Sequence, residues 1–132
     1  MPLDRRAAEL EVGEQLASWG KVIVIETRGR VTGRRVRAAI GFVDEPDGSI
    51  LVAAGDPDAA WAANLVADPR ATVTVEDSRR EVEAIALDGR DWARAIRELI
   101  LKYGTPAERL GAGPAFRLVP REAGAGPGEG GD

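Results

Sequence analysis

Short runs of β-branched and apolar residues recur along this chain, separated by polar turns. Residues 22–25 (VIVI) are apolar throughout and too few for a helix, which is typical of a buried strand. In residues 71–76, apolar Ala71, Val73 and Val75 alternate with two threonines, as in a strand with one buried face. Further strands are predicted at 36–43, 50–54, 79–87 and 115–119.

Three other segments have helical patterns. The clearest is 89–103, which Asp88 is predicted to cap, Gly104 to end and Pro106 to prevent from continuing. Its apolar stripe comprises Trp92, Ile96, Leu99, Ile100 and Tyr103. A short helix is predicted at 59–67, with Asp58 as N-cap, and a weakly amphipathic helix at 4–18. A single helical turn is predicted at 106–110.

This order of elements predicts a mainly β protein with helices, of the α+β class. The turn sequence at 45–48 (EPDG) and a second turn at Asp77-Ser78 predict two hairpins, and therefore a mostly antiparallel sheet. Six or seven such strands with an N-terminal helix and one long later helix suit a small closed or split β-barrel. We expect a single domain at 1–120, because 44% of residues are hydrophobic, and a disordered glycine-rich tail at 121–132.

The amino-acid composition limits the kinds of catalytic and metal site that the protein can have. The chain has no cysteine and no histidine, which excludes thiolate nucleophiles, zinc–thiolate sites and the Ser-His-Asp triad. No metal site is predicted. If the protein is an enzyme, we therefore expect a bound cofactor to carry the reaction. No apolar run reaches the ~20 residues of a membrane span, and the N-terminus lacks a secretory pattern, so we predict a cytoplasmic protein.

One segment is strongly basic although the net charge is −4. Five arginines, with no acidic residue among them, fall within residues 28–37 (RGRVTGRRVR). Gly29 and Gly33 allow backbone amides to approach a ligand closely. We interpret the segment as an anion-binding turn between two strands; the alternative is a solvated turn in an arginine-rich protein. We predict no nucleic-acid partner, because the patch is short and lacks exposed aromatic residues beside it.

Three motifs in this order resemble the deazaflavin-dependent nitroreductase family of flavin and deazaflavin oxidoreductases. They are the turn Thr27-Arg28-Gly29-Arg30-Val31-Thr32-Gly33, the segment Trp61-Ala62-Ala63-Asn64-Leu65 with Ala67-Asp68-Pro69, and the closing run at 114–120 (PAFRLVP). The resemblance covers about 22–119 and implies a split β-barrel. It also implies coenzyme F-420, an 8-hydroxy-5-deazaflavin with a phosphate and an oligoglutamate tail, which would pass a hydride to a quinone, enone or nitro compound.

The resemblance also implies a set of cofactor-binding residues. Arg30, Thr32 and Gly33 would lie by the phosphate, and Trp61 and Asn64 would hold the short helix and the tail region. Ala38, Ala39 and Ile40 would line the deazaflavin ring through their backbone. Arg35 and Arg37 are further candidate anion contacts, and Ala54 and Gly55 correspond to the family's Ser-Lys-Gly-Gly loop.

Tyr103 is the candidate catalytic residue, since a helix end at a barrel rim is a common pocket wall. The alternative is that Tyr103 only completes the apolar stripe of its helix. Two further alternatives concern function: an FMN-dependent relative, or a non-catalytic binder of a flavin, a tetrapyrrole or another anionic small molecule. We expect a homodimer, because barrels of this class often pair across a sheet face.

Overall fold

The computed structural model describes residues 21–55, 58–104 and 113–121. The helix predicted at 4–18, the turn predicted at 106–110 and nearly all of the predicted tail lie outside these residues. The domain bounds at 1–120 and 121–132 stay predictions.

Seven strands and two helices make up the described residues. In chain order they are β1 Ile23–Arg28, β2 Arg35–Ile40, β3 Val43–Asp44, β4 Ile50–Ala53, α1 Ala60–Ala67, β5 Arg70–Val75, β6 Ser78–Leu87, α2 Gly89–Tyr103 and β7 Ala115–Pro120. All seven strands belong to one sheet in the order β2-β1-β5-β6-β7-β4-β3, and every neighbouring pair is antiparallel. The sheet forms a half-barrel, which confirms the predicted split-barrel α+β fold.

The sheet buries a different helix on each of its faces. On the inner face, Trp61, Ala62 and Leu65 of α1 join a core with Ile23, Ile25 and other strand residues. On the outer face, the apolar stripe of α2 covers Leu51, Ala53 and Ala115. The strand alternation in the sequence produces these two separate cores, since successive side chains point to opposite faces.

The long helix ends as the sequence predicts. Gly104 has φ 86°, a conformation that favours glycine, and its N–H donates to the carbonyl of Ile100 at 2.7 Å. Trp92, on the predicted stripe, is half-buried and donates its indole N–H to the Gly113 carbonyl at 3.0 Å. The predicted boundaries of α2 are therefore confirmed.

Three details of the prediction are wrong. The strand predicted at 36–43 is broken between Ile40 and Val43, because Gly41-Phe42 makes contacts with α2 instead of continuing the sheet. Asp58 is not the N-cap of α1: the N-cap is Ala59, and the helix has no side-chain capping hydrogen bond. Asp88 occupies the N-cap position of α2, but its carboxylate makes no capping hydrogen bond.

No helix among these residues is both long and apolar enough to cross a membrane.

Candidate functional site

The turn between β1 and β2 is tight and depends on its glycines. The N–H of Gly29 donates to the Arg34 carbonyl at 2.7 Å, and the N–H of Gly33 donates to the Gly29 carbonyl at 2.8 Å. A Cβ at position 29 would lie 2.9 Å from the Arg34 carbonyl oxygen, and Gly33 has φ +76°. The Thr32 hydroxyl accepts the Arg34 N–H at 3.2 Å. Thr32 and Gly33 therefore shape the turn that presents the arginines.

Asn64 joins this turn to α1. Its Oδ1 accepts two hydrogen bonds from Arg30, one from the backbone N–H at 3.2 Å and one from Nη1 at 2.9 Å. Its Nδ2 donates to the Thr27 hydroxyl at 3.1 Å. Asn64 is 1% exposed and Thr27 is fully buried. Asn64 thus orients the exposed Arg30 side chain from beneath the surface.

Trp61 lies deeper than its role in the resemblance implies. It is 7% exposed, and its ring centroid is 6.0 Å from that of Phe116 in a tilted arrangement. This packing fixes α1 on the inner face of the sheet. A direct contact between Trp61 and a cofactor stays a prediction.

Arg35 and Arg37 lie on the outer face of the sheet, around a single carboxylate. Glu26 of β1 accepts Nη1 of Arg35 at 3.4 Å and lies 3.7 Å from Nε of Arg37. Arg79 of β6 reaches the same carboxylate at 3.4 Å. Glu26 could not be recognised from the sequence, because only the strand register places it opposite Arg37.

Ala38, Ala39 and Ile40 belong to an edge strand. Among the described residues, β2 pairs only with β1, so its other backbone edge has no strand partner. Ala38 and Ile40 pack against the inner core, whereas Ala39 points to the opposite face. Alternate backbone N–H and C=O groups of β2 point away from β1, where they can bond the polar rim of a flat ligand.

Tyr103 lies at the end of β2 that is farthest from the arginine turn. Its hydroxyl accepts the Phe42 N–H at 3.0 Å and donates to the Lys21 carbonyl at 2.8 Å. Its ring leaves no room for a side chain at position 41, where a Cβ would lie 3.0 Å from Cε2 of the tyrosine. Partial burial raises the pKa of Tyr103. Among the described residues, this hydroxyl bonds only backbone groups, so it fixes the corner after β2.

Lys102 also binds the backbone at the corner after β2. Its Nζ donates to the Phe42 carbonyl at 2.6 Å and lies 3.7 Å from the centroid of the Phe42 ring. Burial lowers the pKa of Lys102, because the charged ammonium loses contact with water. No pattern in the sequence points to Lys102, which lies outside the motifs that carry the resemblance.

The structure brings the predicted residues together in two groups joined by β2. Arg30, Thr32, Gly33, Arg35 and Asn64 lie at the arginine turn, and Ile40 leads to the Tyr103 corner. Five steps of a strand, at ~3.3 Å each, separate the two ends by roughly 17 Å. Ala54, by contrast, is buried and donates its N–H to the Pro114 carbonyl at 2.9 Å, and Gly55 is exposed beside it.

Comparison with known families identifies the family of this chain. The model of the F420H2-dependent quinone reductase family matches residues 3–109 of the chain. The chain belongs to this family. It is therefore an oxidoreductase that uses coenzyme F-420, as the resemblance in its motifs predicts. A search of curated proteins finds no match.

Solved structures show the same fold at low sequence identity. An F420-H2 dependent reductase, FDR-A, is 22% identical over 74% of this chain and 93% of its own, with a TM-score of 0.64. HutZ, a heme storage protein from Vibrio cholerae, is 20% identical over 87% and 91%, with a TM-score of 0.64. A structure described as a domain-swapped dimer is 20% identical over 87% and 99%, with a TM-score of 0.63.

The residues of the candidate site have chemistry that a deazaflavin coenzyme could use. A deazaflavin has a planar ring with a polar rim and an anionic phosphate end. The edge of β2 that has no strand partner among the described residues can offer backbone donors and acceptors to such a rim. The guanidinium N–H groups of Arg30 can bind an anion.

Proposed function

We propose that this reductase transfers a hydride from the reduced coenzyme to an electron-poor acceptor of the quinone, enone or nitro class. The observation that carries the proposal is the family match over residues 3–109, together with an open β2 edge beside a basic turn. When bound, the reduced deazaflavin supplies the hydride from its C5. Every other task falls to the protein.

The role of the protein is to bind the coenzyme and to orient it. In our proposal, the backbone of Ala38, Ala39 and Ile40 aligns the ring along β2. Arg30, held by Asn64, contacts the phosphate end, and a charge-assisted hydrogen bond there contributes about 1.5–3 kcal/mol. Among the described residues, no group of three or more acidic side chains could hold a metal ion.

In this proposal, Tyr103 positions the backbone that follows β2. Its hydroxyl and the Lys102 ammonium both bind the backbone of Phe42, two residues beyond the end of β2. They fix the direction in which the strand leaves the candidate ring site. The acceptor would approach near this corner, where Tyr103 forms part of the wall.

Fluorescence titration with coenzyme F-420 and with FMN tests the cofactor site. We expect tighter binding of F-420, and Arg30→Ala should weaken it about 10–100-fold with little change in melting temperature. Arg97→Ala, on the exposed face of α2, is the matched control and should leave affinity unchanged. Tighter binding of FMN, or an unchanged affinity in Arg30→Ala, contradicts the assignment.

Turnover assays test the acceptor class. Oxidation of the reduced coenzyme is followed with menadione, a cyclic enone and a nitroaromatic compound as acceptors. We expect turnover with at least one of them that depends on the protein. If the protein binds the coenzyme tightly but oxidises it with none of the three, the acceptor assignment fails and the non-catalytic alternative is preferred.

Two further proposals concern the oligomeric state and the cellular location of the enzyme. We propose a homodimer, supported by the likeness to a structure described as a domain-swapped dimer, although that likeness shows only the fold. Light scattering of the purified protein measures its mass directly. A cytoplasmic location stays our prediction from the sequence.

A further inference from the structure

An open groove of about 700 Å³ lies at the end of the barrel that is opposite the arginine turn. Strand β1 begins at this end, where Ile23 pairs with Ile40, and it reaches the arginine turn with Arg28 at the other. The groove lies between the corner after β2, the end of α2 and the turn between β5 and β6. We call it the corner groove, and its lining includes Phe42, Asp44, Glu76, Asp77, Arg80 and Lys102.

Lys102 holds its ammonium group against Phe42 in the corner groove. Its Nζ donates to the Phe42 carbonyl at 2.6 Å, and it lies 3.7 Å from the centroid of the Phe42 ring and 5.2 Å from that of Tyr103. Phe42 is 4% exposed, so its ring is a fixed surface. An ammonium has three N–H donors, and the carbonyl is its only hydrogen-bond partner among the described residues. The protein therefore fixes Nζ while leaving donors for a ligand.

No carboxylate forms an ion pair with Lys102 in the part of the chain that the structure describes. Arg70, by contrast, pairs with Asp68 at 3.2 Å. Burial lowers the pKa of Lys102 by more than the charge of Asp44 raises it, so the ammonium is a stronger acid than that of a free lysine. The titratable and charged residues around it are Lys21, Asp44, Glu76, Asp77, Arg80, Glu98 and Tyr103.

Reduction of a carbonyl acceptor requires a positive charge and a proton. Hydride transfer to a quinone or an enone leaves a negative charge on an acceptor oxygen, which must then be protonated. The chain has no histidine or cysteine for this task. The Tyr103 hydroxyl donates to the Lys21 carbonyl, and burial raises its pKa. Arg80 does not release a proton, because a guanidinium stays charged. Among the described groups of this corner, Lys102 is therefore suited to both tasks.

We propose that Lys102 is the catalytic proton donor of this reductase and meets the acceptor in the corner groove. The inference rests on the proposed function, because it requires a quinone or enone to be reduced near the end of β2. The ammonium stabilises the oxyanion that hydride transfer leaves, and an Nζ–H bond breaks as the O–H bond of the reduced acceptor forms. Both electrons come with the hydride. The neutral amine takes a new proton from water in the open groove, which the charge of Asp44 favours.

Turnover of the reduced coenzyme with menadione tests this role. Lys102→Met keeps an unbranched side chain on the Phe42 ring but removes the charge and the proton, and kcat should fall about 100-fold. Lys102→Arg keeps the charge without a transferable proton and should recover only part of this loss. Both variants should bind coenzyme F-420 and melt as the unchanged protein does. Arg97→Met removes a cation from the exposed face of the same helix, outside the groove, and should leave kcat unchanged.

The pH profile of kcat separates proton donation from a structural role. Lys102 is active when protonated, so kcat should be complete at neutral pH and should fall as pH rises through the folded-state pKa of Lys102, which burial places below 10.5. Lys102→Arg should lack this alkaline fall, because its guanidinium stays charged. The same alkaline fall in both proteins, or a kcat of Lys102→Met within about twofold of the unchanged value, overturns the proposal.

Binding of 2-hydroxy-1,4-naphthoquinone gives a readout without turnover. This compound is an anion at neutral pH and resembles the oxyanion of a reduced acceptor, whereas menadione is neutral. With oxidised coenzyme bound, Lys102→Met should weaken binding of the anion about tenfold and leave that of menadione nearly unchanged. Equal effects on both compounds refute a contact between Lys102 and the acceptor oxygen.

The unchanged protein separates failure of this proposal from failure of the proposed function. If it reduces no quinone or enone, the proposed function is wrong, and proton donation by Lys102 is refuted with it. If it reduces menadione and Lys102→Met does so equally well, the proposed function stands and only the role of Lys102 is refuted.

Discussion

The buried contact between Asn64 and Thr27 supports a quantitative prediction. Asn64→Ala removes the donor to the Thr27 hydroxyl and the acceptor for both Arg30 groups. Arg30 is exposed and can turn to water, but the hydroxyl at position 27 is fully buried. A buried polar group without its partner costs about 1–3 kcal/mol, and the truncated side chain adds a small cavity. We therefore expect a loss of about 2–3 kcal/mol in the free energy of unfolding.

Thr27→Val is the matched variant, because it breaks the same buried contact from the other side. It leaves the Asn64 Nδ2 group without an acceptor and should also cost about 1–3 kcal/mol, yet it keeps both contacts between Asn64 and Arg30. The two losses should not add in the double variant, since either change already breaks the shared hydrogen bond.

Affinity for coenzyme F-420 separates the two variants. Asn64→Ala releases Arg30 and should weaken binding about tenfold, the scale of one lost charged hydrogen bond. Thr27→Val should bind as the unchanged protein does. Urea unfolding followed by tryptophan fluorescence measures stability, and titration at 25 °C measures affinity. A loss below about 0.5 kcal/mol in Asn64→Ala, or equal affinities in both variants, refutes the reasoning.

Two further predictions concern the corner after β2. Gly41→Ala should cost about 1–3 kcal/mol in urea unfolding, because its Cβ would lie 3.0 Å from the Tyr103 ring; an unchanged midpoint would contradict this packing. Burial raises the pKa of Tyr103 above 10.0, so its contribution to stability is complete below that pH and is lost as pH rises through the folded-state value. The stability advantage over Tyr103→Phe should therefore shrink above pH 10 in unfolding experiments from pH 8 to 11, where a constant difference would count against it.

The sequence predicts those features of the fold that depend on neighbours in the chain. The apolar stripe of α2 and its end at Gly104 follow from residue spacing and one backbone conformation, and both are confirmed. The break at Gly41-Phe42 could not be predicted in this way, because Tyr103 and Lys102, some sixty positions away, bind its backbone.

In the candidate site, too, the features set by neighbouring residues could be predicted and those set by distant residues could not. The basic turn and its glycines are visible in the sequence, and the structure confirms the tight turn. The partners of its arginines are not visible, because Glu26 faces Arg37 only through the β1–β2 register. Likewise, Arg70 lies beside Arg28 only because β5, which is distant in sequence, pairs with β1.

The position of β7 has a consequence for how the chain folds. Among the described strands, β7 lies between β6 and β4, and it is the one of them that joins the four strands β2-β1-β5-β6 to the hairpin of β3 and β4. On a ribosome, these two parts are complete before Phe116 and Leu118, which belong to the inner core, have been synthesised. Until then, β4 and β6 each present an unpaired edge. The nascent chain therefore depends on late, long-range pairing, which slows folding and prolongs exposure to aggregation.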